Sequence, residues 1–144
     1  MTTELMTFDA GVPTTLETAP HNLEAEQAFL GALLYDNEIF HRIADWLKPE
    51  HFYDPVHGRI FETASDLIGR GSLADAVVLK TQFDRDDGLR EIGGTTYLAV
   101  LIESAANNSA ATEYARMIYE LALRRDLIRI GDELSATATT DAET

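Results

Sequence analysis

Glu50, His51, Asp54 and His57 put four ligand-type side chains within residues 50–57, the densest polar cluster in the chain. Such a set could hold a metal ion or work as an acid–base pair, and Asp54 with His57 could in principle serve a small hydrolase. The neighbouring residues argue for plainer roles. Asp54 precedes Pro55 and reads as a helix cap, and Glu50 adjoins the break at Pro49. His57 falls beside an apolar stripe, where a ring is expected to hydrogen-bond within the fold. His21 and His41 have no companions in sequence, and four histidines without a cysteine argue against a transition-metal site. There is no G-x-x-x-x-G-K-[ST] phosphate loop, and Gly69-x-Gly71 and Gly93-Gly94 read as turns. Gly71-Ser72 follows a helix and does not form a nucleophile elbow. The expectation is a chain with no catalytic, cofactor or metal site of its own.

Charge narrows the partners. Twenty-five acids against eleven bases give a net charge of −14. The excess is not confined to the ends: without residues 1–20 and 132–144 the remainder stands at −7. Nucleic acid is gripped mainly by Lys and Arg that neutralise phosphates, so little direct nucleic-acid binding is expected. Trp46 and Tyr35, at helix ends, are the places where a single-strand contact is conceivable. Phe29, Phe40, Phe52, Phe61 and Phe83 sit on apolar faces and read as core. Arg124, Arg125 and Arg129 reverse the sign locally. They read either as a solvated face with i,i+4 pairs such as Glu120–Arg124, or as the charged rim of an intermolecular contact.

The elements that carry these residues are all helical. At 45% apolar content the chain can bury one core. No alternating strand pattern appears. Residues 1–20, rich in Thr, read as a disordered arm. They lack the basic start and apolar run of a signal peptide, and no apolar run approaches the roughly 18 residues that span a bilayer. With no cysteine present, a reducing cytoplasm is the expected location. Residues 21–106 should form a globular helical subdomain, and residues 107–144 a long helix with the start of a linker.

Asn22 should cap the first helix, with Ala25, Phe29, Leu30, Leu33 and Leu34 facing the core. Gly31 in its middle costs about 1 kcal/mol against Ala, and close approach of another helix would justify it. Ile39 to Leu47 should form a second helix that Pro49 ends. Asp54-Pro55 should open a third, which runs to Gly69. A weaker fourth is expected over residues 75–84. After turns at Asp86-Asp87-Gly88 and Gly93-Gly94, a fifth should carry Tyr97, Leu98, Leu101 and Ile102.

The last helix, about residues 110–136, carries two apolar faces. At about 100° per residue, Tyr114, Met117, Ile118, Leu121 and Ile128 cluster on one side. Leu123, Leu127, Ile130 and Leu134 cluster on nearly the opposite side. One face can pack on the chain's own globule, and the other needs a partner or leaves a sticky patch. Residues 136–144 read as a loop. The fold expected is therefore all-α: a compact bundle of about five short helices followed by one long C-terminal helix.

Several segments also carry a family resemblance. Asn22 to Leu34, then His51-Phe52-Tyr53, His57 with Ile60-Phe61, and Gly93-Gly94 with Tyr97-Leu98 together resemble the N-terminal domain of the bacterial replicative DNA helicase, the DnaB-type ring helicase. The matching positions are Ala25, Glu26, Leu30, Gly31, Leu34, Phe52, His57, Ile60, Phe61, Gly93, Gly94, Tyr97, Leu98, Tyr114, Ala115 and Arg125. The resemblance implies a collar domain that self-associates, as a dimer and within a hexameric ring, and that docks primase. It implies that the last helix is half of a helical hairpin pairing between subunits. It also places ATP, Mg²⁺ and strand separation in a motor domain outside this chain. Leu123, Arg124, Leu127, Ile128, Ile130 and Leu134 are the interface residues this reading selects, with Ile128 and Leu134 at the positions tied to primase. The alternative is a free-standing helical adaptor, such as the helicase-binding module of a primase, which shares this kind of fold.

Overall fold

The computed structural model describes residues 19–84, 87, 90, 94 and 96–141. Among them the chain forms six α-helices and no strand. They are α1 (Leu23–Tyr35), α2 (Phe40–Ile43), α3 (Pro55–Gly69), α4 (Ala76–Phe83), α5 (Thr96–Glu103) and α6 (Asn108–Asp141). Short 3₁₀ segments lie at Asn37–Ile39 and Pro49–His51. Five short helices and one long one are what the apolar periodicity called for. The arm expected over residues 1–20 lies, up to residue 18, outside the described residues, as do most of the turn positions between Asp84 and Thr96.

Contacts divide the chain into two compact units. One runs from His21 to Ala122, and the other, among the described residues, takes in Ala19, Pro20 and residues 123–141. Helix α6 contributes to both.

Helix starts follow the expected capping chemistry. The side chain of Asn22 accepts from the Ala25 N–H at 3.0 Å, Asp54 from Val56 at 2.9 Å, and Asp75 from Val78 at 2.9 Å. Asn107 does the same for Ala110 at 2.9 Å, at the start of α6. Each satisfies a first-turn donor that would otherwise have no acceptor. Two expected boundaries were wrong. The second helix is only Phe40–Ile43, because Asp36 first caps the 3₁₀ segment through Glu38 N–H at 3.0 Å. The last helix does not stop at Ala136 but continues to Asp141. There the Thr139 hydroxyl donates back to the Ser135 carbonyl at 3.0 Å, which lets a polar residue sit within helical backbone.

Within the His21–Ala122 unit the core gathers Phe29, Phe52 and Phe61, whose ring centroids lie 5.1–6.3 Å apart, with Leu30, Leu33, Ile39, Ile43, Ile60, Leu79, Leu98 and Leu101. Gly31 is the point of closest helix contact. A Cβ there would run into the Leu101 carbonyl and come within 2.9 Å of the Ala105 Cα. The Ala106 N–H donates to the Ala28 carbonyl at 3.1 Å just beyond that crossing. Asn37 acts as a clasp between α1 and the segment before α4. Its side chain donates to the carbonyls of Leu33 and Ala74 and accepts from Ala74 N–H, all at 2.8–2.9 Å.

Candidate functional site

The cluster of residues 50–57 does not converge. Asp54 is spent on its cap, and the His51 ring accepts from the Lys48 N–H at 2.9 Å. Glu50 is exposed. Only His57 turns inward, and its partner comes from another helix. Its Nδ1 lies 2.7 Å from Glu26 Oε1, and its Nε2 lies 2.6 Å from the Tyr97 hydroxyl. Glu26 and His57 are both buried, with 2% and 1% of their surface exposed.

Tyr53 N–H donates to Glu26 at 2.6 Å and Asp54 N–H reaches it at 3.4 Å. At the other end, Gln27 Nε2 donates to the Tyr97 hydroxyl at 3.0 Å. Every donor then has an acceptor when His57 carries its proton on Nδ1: Gln27 to Tyr97, Tyr97 to His57, His57 to Glu26. Burial pushes the Tyr97 hydroxyl above its ordinary pKa, against the opposing hydrogen bond from Gln27. The rings of His57 and Tyr97 stack at 5.8 Å, 14° from parallel.

Both ring nitrogens of His57 are committed and the ring is closed to solvent, so His57 has no open position for a substrate. It ties α1, α3 and α5 together. The sequence carried a signal for it: Glu26, Phe29, Leu30 and Leu33 share one face of α1, so Glu26 stands on the core stripe as well as in the first turn. Among the described residues no group of three or more His, Cys, Asp or Glu is placed to hold a metal ion. Gly71 and Gly94 have φ of 81° and 63°, the conformation that turns require.

The aromatic residues weighed for nucleic acid separate. Trp46 is partly buried and meets the Tyr119 ring edge-on at 5.6 Å, with His51 on the same tyrosine at 5.0 Å. Tyr35 is 82% exposed.

Helix α6 is inward-facing along a row of which sequence periodicity named only Ile118. Ala111, Ala115, Ile118 and Ala122 are its buried residues. Three are alanines, small enough to bring the backbone close to its neighbours, and they were passed over because large side chains were used to define the stripe. Met117 and Ile128, expected on the packed face, are exposed by 38% and 40%.

From Leu123 onward the helix presents apolar side chains to solvent. Leu127 and Leu134 are each 67% exposed, and Leu123 and Ile130 42–44%. Arg124 is exposed beside them. The Glu120–Arg124 pair is not among the ion pairs of the described residues. Instead Arg129 reaches Asp126 at 3.5 Å and Glu133 at 3.2 Å, and Arg125 donates to the Pro20 carbonyl at 2.7 Å. No helix among the described residues is long and apolar enough to cross a membrane.

Comparison with known proteins places this architecture. A family model described as the DnaB-like helicase N-terminal domain matches residues 18–120. The chain is 35% identical over 126 residues to the replicative DNA helicase DnaB of Rickettsia felis, covering 88% of this chain and 25% of that protein. It is 38% identical over 112 residues to the corresponding helicase of Mycobacterium leprae, covering 78% of this chain and 18% of that one. The chain thus spans a quarter or less of the length of these relatives.

Among solved structures, the N-terminal domain of DnaB helicase from Mycobacterium tuberculosis superposes with a TM-score of 0.82 at 35% identity, over 88% of this chain and 91% of that one. A DnaB-like replicative helicase, described with its interactions with primase, superposes with a TM-score of 0.69 at 28% identity, over 83% of this chain and 28% of that one. On these matches, the protein belongs to the family of DnaB-like helicase N-terminal domains.

Proposed function

We propose that this domain is the collar of a replicative ring helicase: it associates with copies of itself and offers a docking face to primase. Self-association would give dimers and, in the whole protein, a hexamer. ATP hydrolysis, Mg²⁺ binding and strand separation belong, in this reading, to another region of the whole protein, which works in the cytoplasm. The observation that carries the proposal is the exposed row Leu123, Leu127, Ile130 and Leu134. Their spacing of four, three and four residues is that of a helix–helix seam, and an apolar row left in water marks an interaction surface. Ile128 and Arg124 flank it, Arg being a residue that interfaces favour. The similarity to a helicase described with primase supports the second partner.

Sedimentation tests the reading. The chain, and the full-length protein beside it, should show concentration-dependent association that Leu127→Asp weakens at least tenfold. A strictly monomeric full-length protein, or association indifferent to that change, would overturn it.

A further inference from the structure

Beyond the ring-assembly reading, and independent of the α6 row, the His21–Ala122 unit contains a cleft of about 460 Å³ lined by Asn22, Glu24, Gln27, Ser104 and Tyr114, among others. That volume is within the usual range for small-ligand sites. What distinguishes the cleft is how its polar groups are already engaged. The Gln27 amide nitrogen is held by the Tyr97 hydroxyl at 3.0 Å. The Ser104 hydroxyl donates to the Val100 carbonyl at 2.9 Å. The Asn22 amide nitrogen points at the Met117 sulfur, 3.4 Å away. One donor of each amide and the Ser104 hydroxyl proton are thus engaged, while the Gln27 carbonyl, the Ser104 lone pairs and the Glu24 carboxylate meet no donor among the described residues.

We infer that this cleft binds a guanidinium group. Spaced acceptors and one full negative charge suit a planar cation with several N–H donors better than a compact ammonium. Tyr114 supplies an aromatic wall on which such a group can stack. The first turn of α1 opposes a cation with about half a positive charge, but Glu24 sets a whole negative charge there, and Ser104 follows the carbonyl end of α5, where the partial charge is negative. The net charge of −14 adds attraction at long range.

A guanidinium could come from an arginine side chain of a partner protein or from a free alkylguanidine. Amide chemical shifts of the whole chain, titrated with N-acetyl-arginine amide, agmatine and N-acetyl-citrulline amide, separate these sources. Both guanidinium probes, or one of them, should shift Glu24, Gln27, Ser104 and Tyr114 and saturate in the millimolar range, while the neutral citrulline compound does not. Glu24→Gln should weaken that binding at least fivefold with an unchanged unfolding midpoint, whereas Glu50→Gln, at an exposed carboxylate outside the cleft, should leave it intact. Tighter binding of N-acetyl-arginine amide assigns the cleft to a protein-borne arginine, and equal or tighter binding of agmatine assigns it to a free guanidine. Equal shifts with citrulline, shifts spread over the whole acidic surface, or binding indifferent to Glu24→Gln would each overturn the inference.

Discussion

Tyr97 shows how much one hydroxyl can carry. It receives a hydrogen bond from Gln27 and supplies the donor for His57 Nε2, which is otherwise closed off from water. Tyr97→Phe leaves that nitrogen buried without a donor, so a loss of about 1–3 kcal/mol is expected in urea unfolding at neutral pH. The hydroxyl's pKa is raised in the folded state above the ordinary 10.0. Its contribution is therefore complete below pH 10 and is lost as pH rises past that value toward the raised one. The stability advantage of the native chain over Tyr97→Phe should be constant below the ordinary pKa of about 10 and shrink as the pH is raised above it, and an advantage that stays constant there would show that the hydroxyl does not titrate differently on folding. His57 was legible as a structural ring from its place beside an apolar stripe. Its partners were not, because Glu26 and Tyr97 lie 31 and 40 residues away and only packing brings them together.

Helix against helix, Gly31 sets how near α1 comes to α5. Any side chain there would meet the Leu101 carbonyl and the Ala105 Cα, both backbone and unable to swing aside. Gly31→Ala should raise helix propensity yet destabilise the fold by about 2 kcal/mol or more, since overpacking outweighs the roughly 1 kcal/mol gained. Equilibrium unfolding that shows a more stable variant would refute the close crossing.

The outer part of α6 should behave in the opposite way. Leu127→Asp and Leu134→Asp alter side chains already 67% exposed, so at dilutions where the chain is monomeric each should change stability by about 0.5 kcal/mol or less. Light scattering at high concentration should meanwhile record lost association. A large stability loss in the dilute monomer would mean that these leucines are packed within the chain. The two-faced character of α6 was readable from periodicity. The alanines that form its inner row were not, since a small residue gives no hydrophobic signal until a neighbour is seen against it.

For the protein as a whole, charge decides what it avoids. With 25 acids and 11 bases, a labelled oligo-dT should bind more weakly than about 10⁻⁴ M at physiological salt, as read by fluorescence anisotropy. Tighter binding that falls steeply with added salt would reveal a basic path that the composition conceals. The collar reading needs no such path, since a ring can be organised by protein contacts alone. Family membership was accessible from the order of short segments from about Pro20 to about Ala136, and the structural match covers 88% of the chain.

The sequence by itself determined the helical class, the caps at Asn22 and Asp54, the need for a close neighbour at Gly31, and an apolar row after Leu123. Each rests on local chemistry: a side-chain oxygen two or three residues before an orphan N–H, a missing Cβ, a repeat near 3.6 residues. Only the tertiary structure decided that Glu26 is buried against His57, that Asn37 clasps Ala74, and that a cleft with unused acceptors lies beside Tyr114. Those outcomes depend on contacts between residues far apart in the chain, and no local pattern specifies which distant groups packing will bring within hydrogen-bond reach.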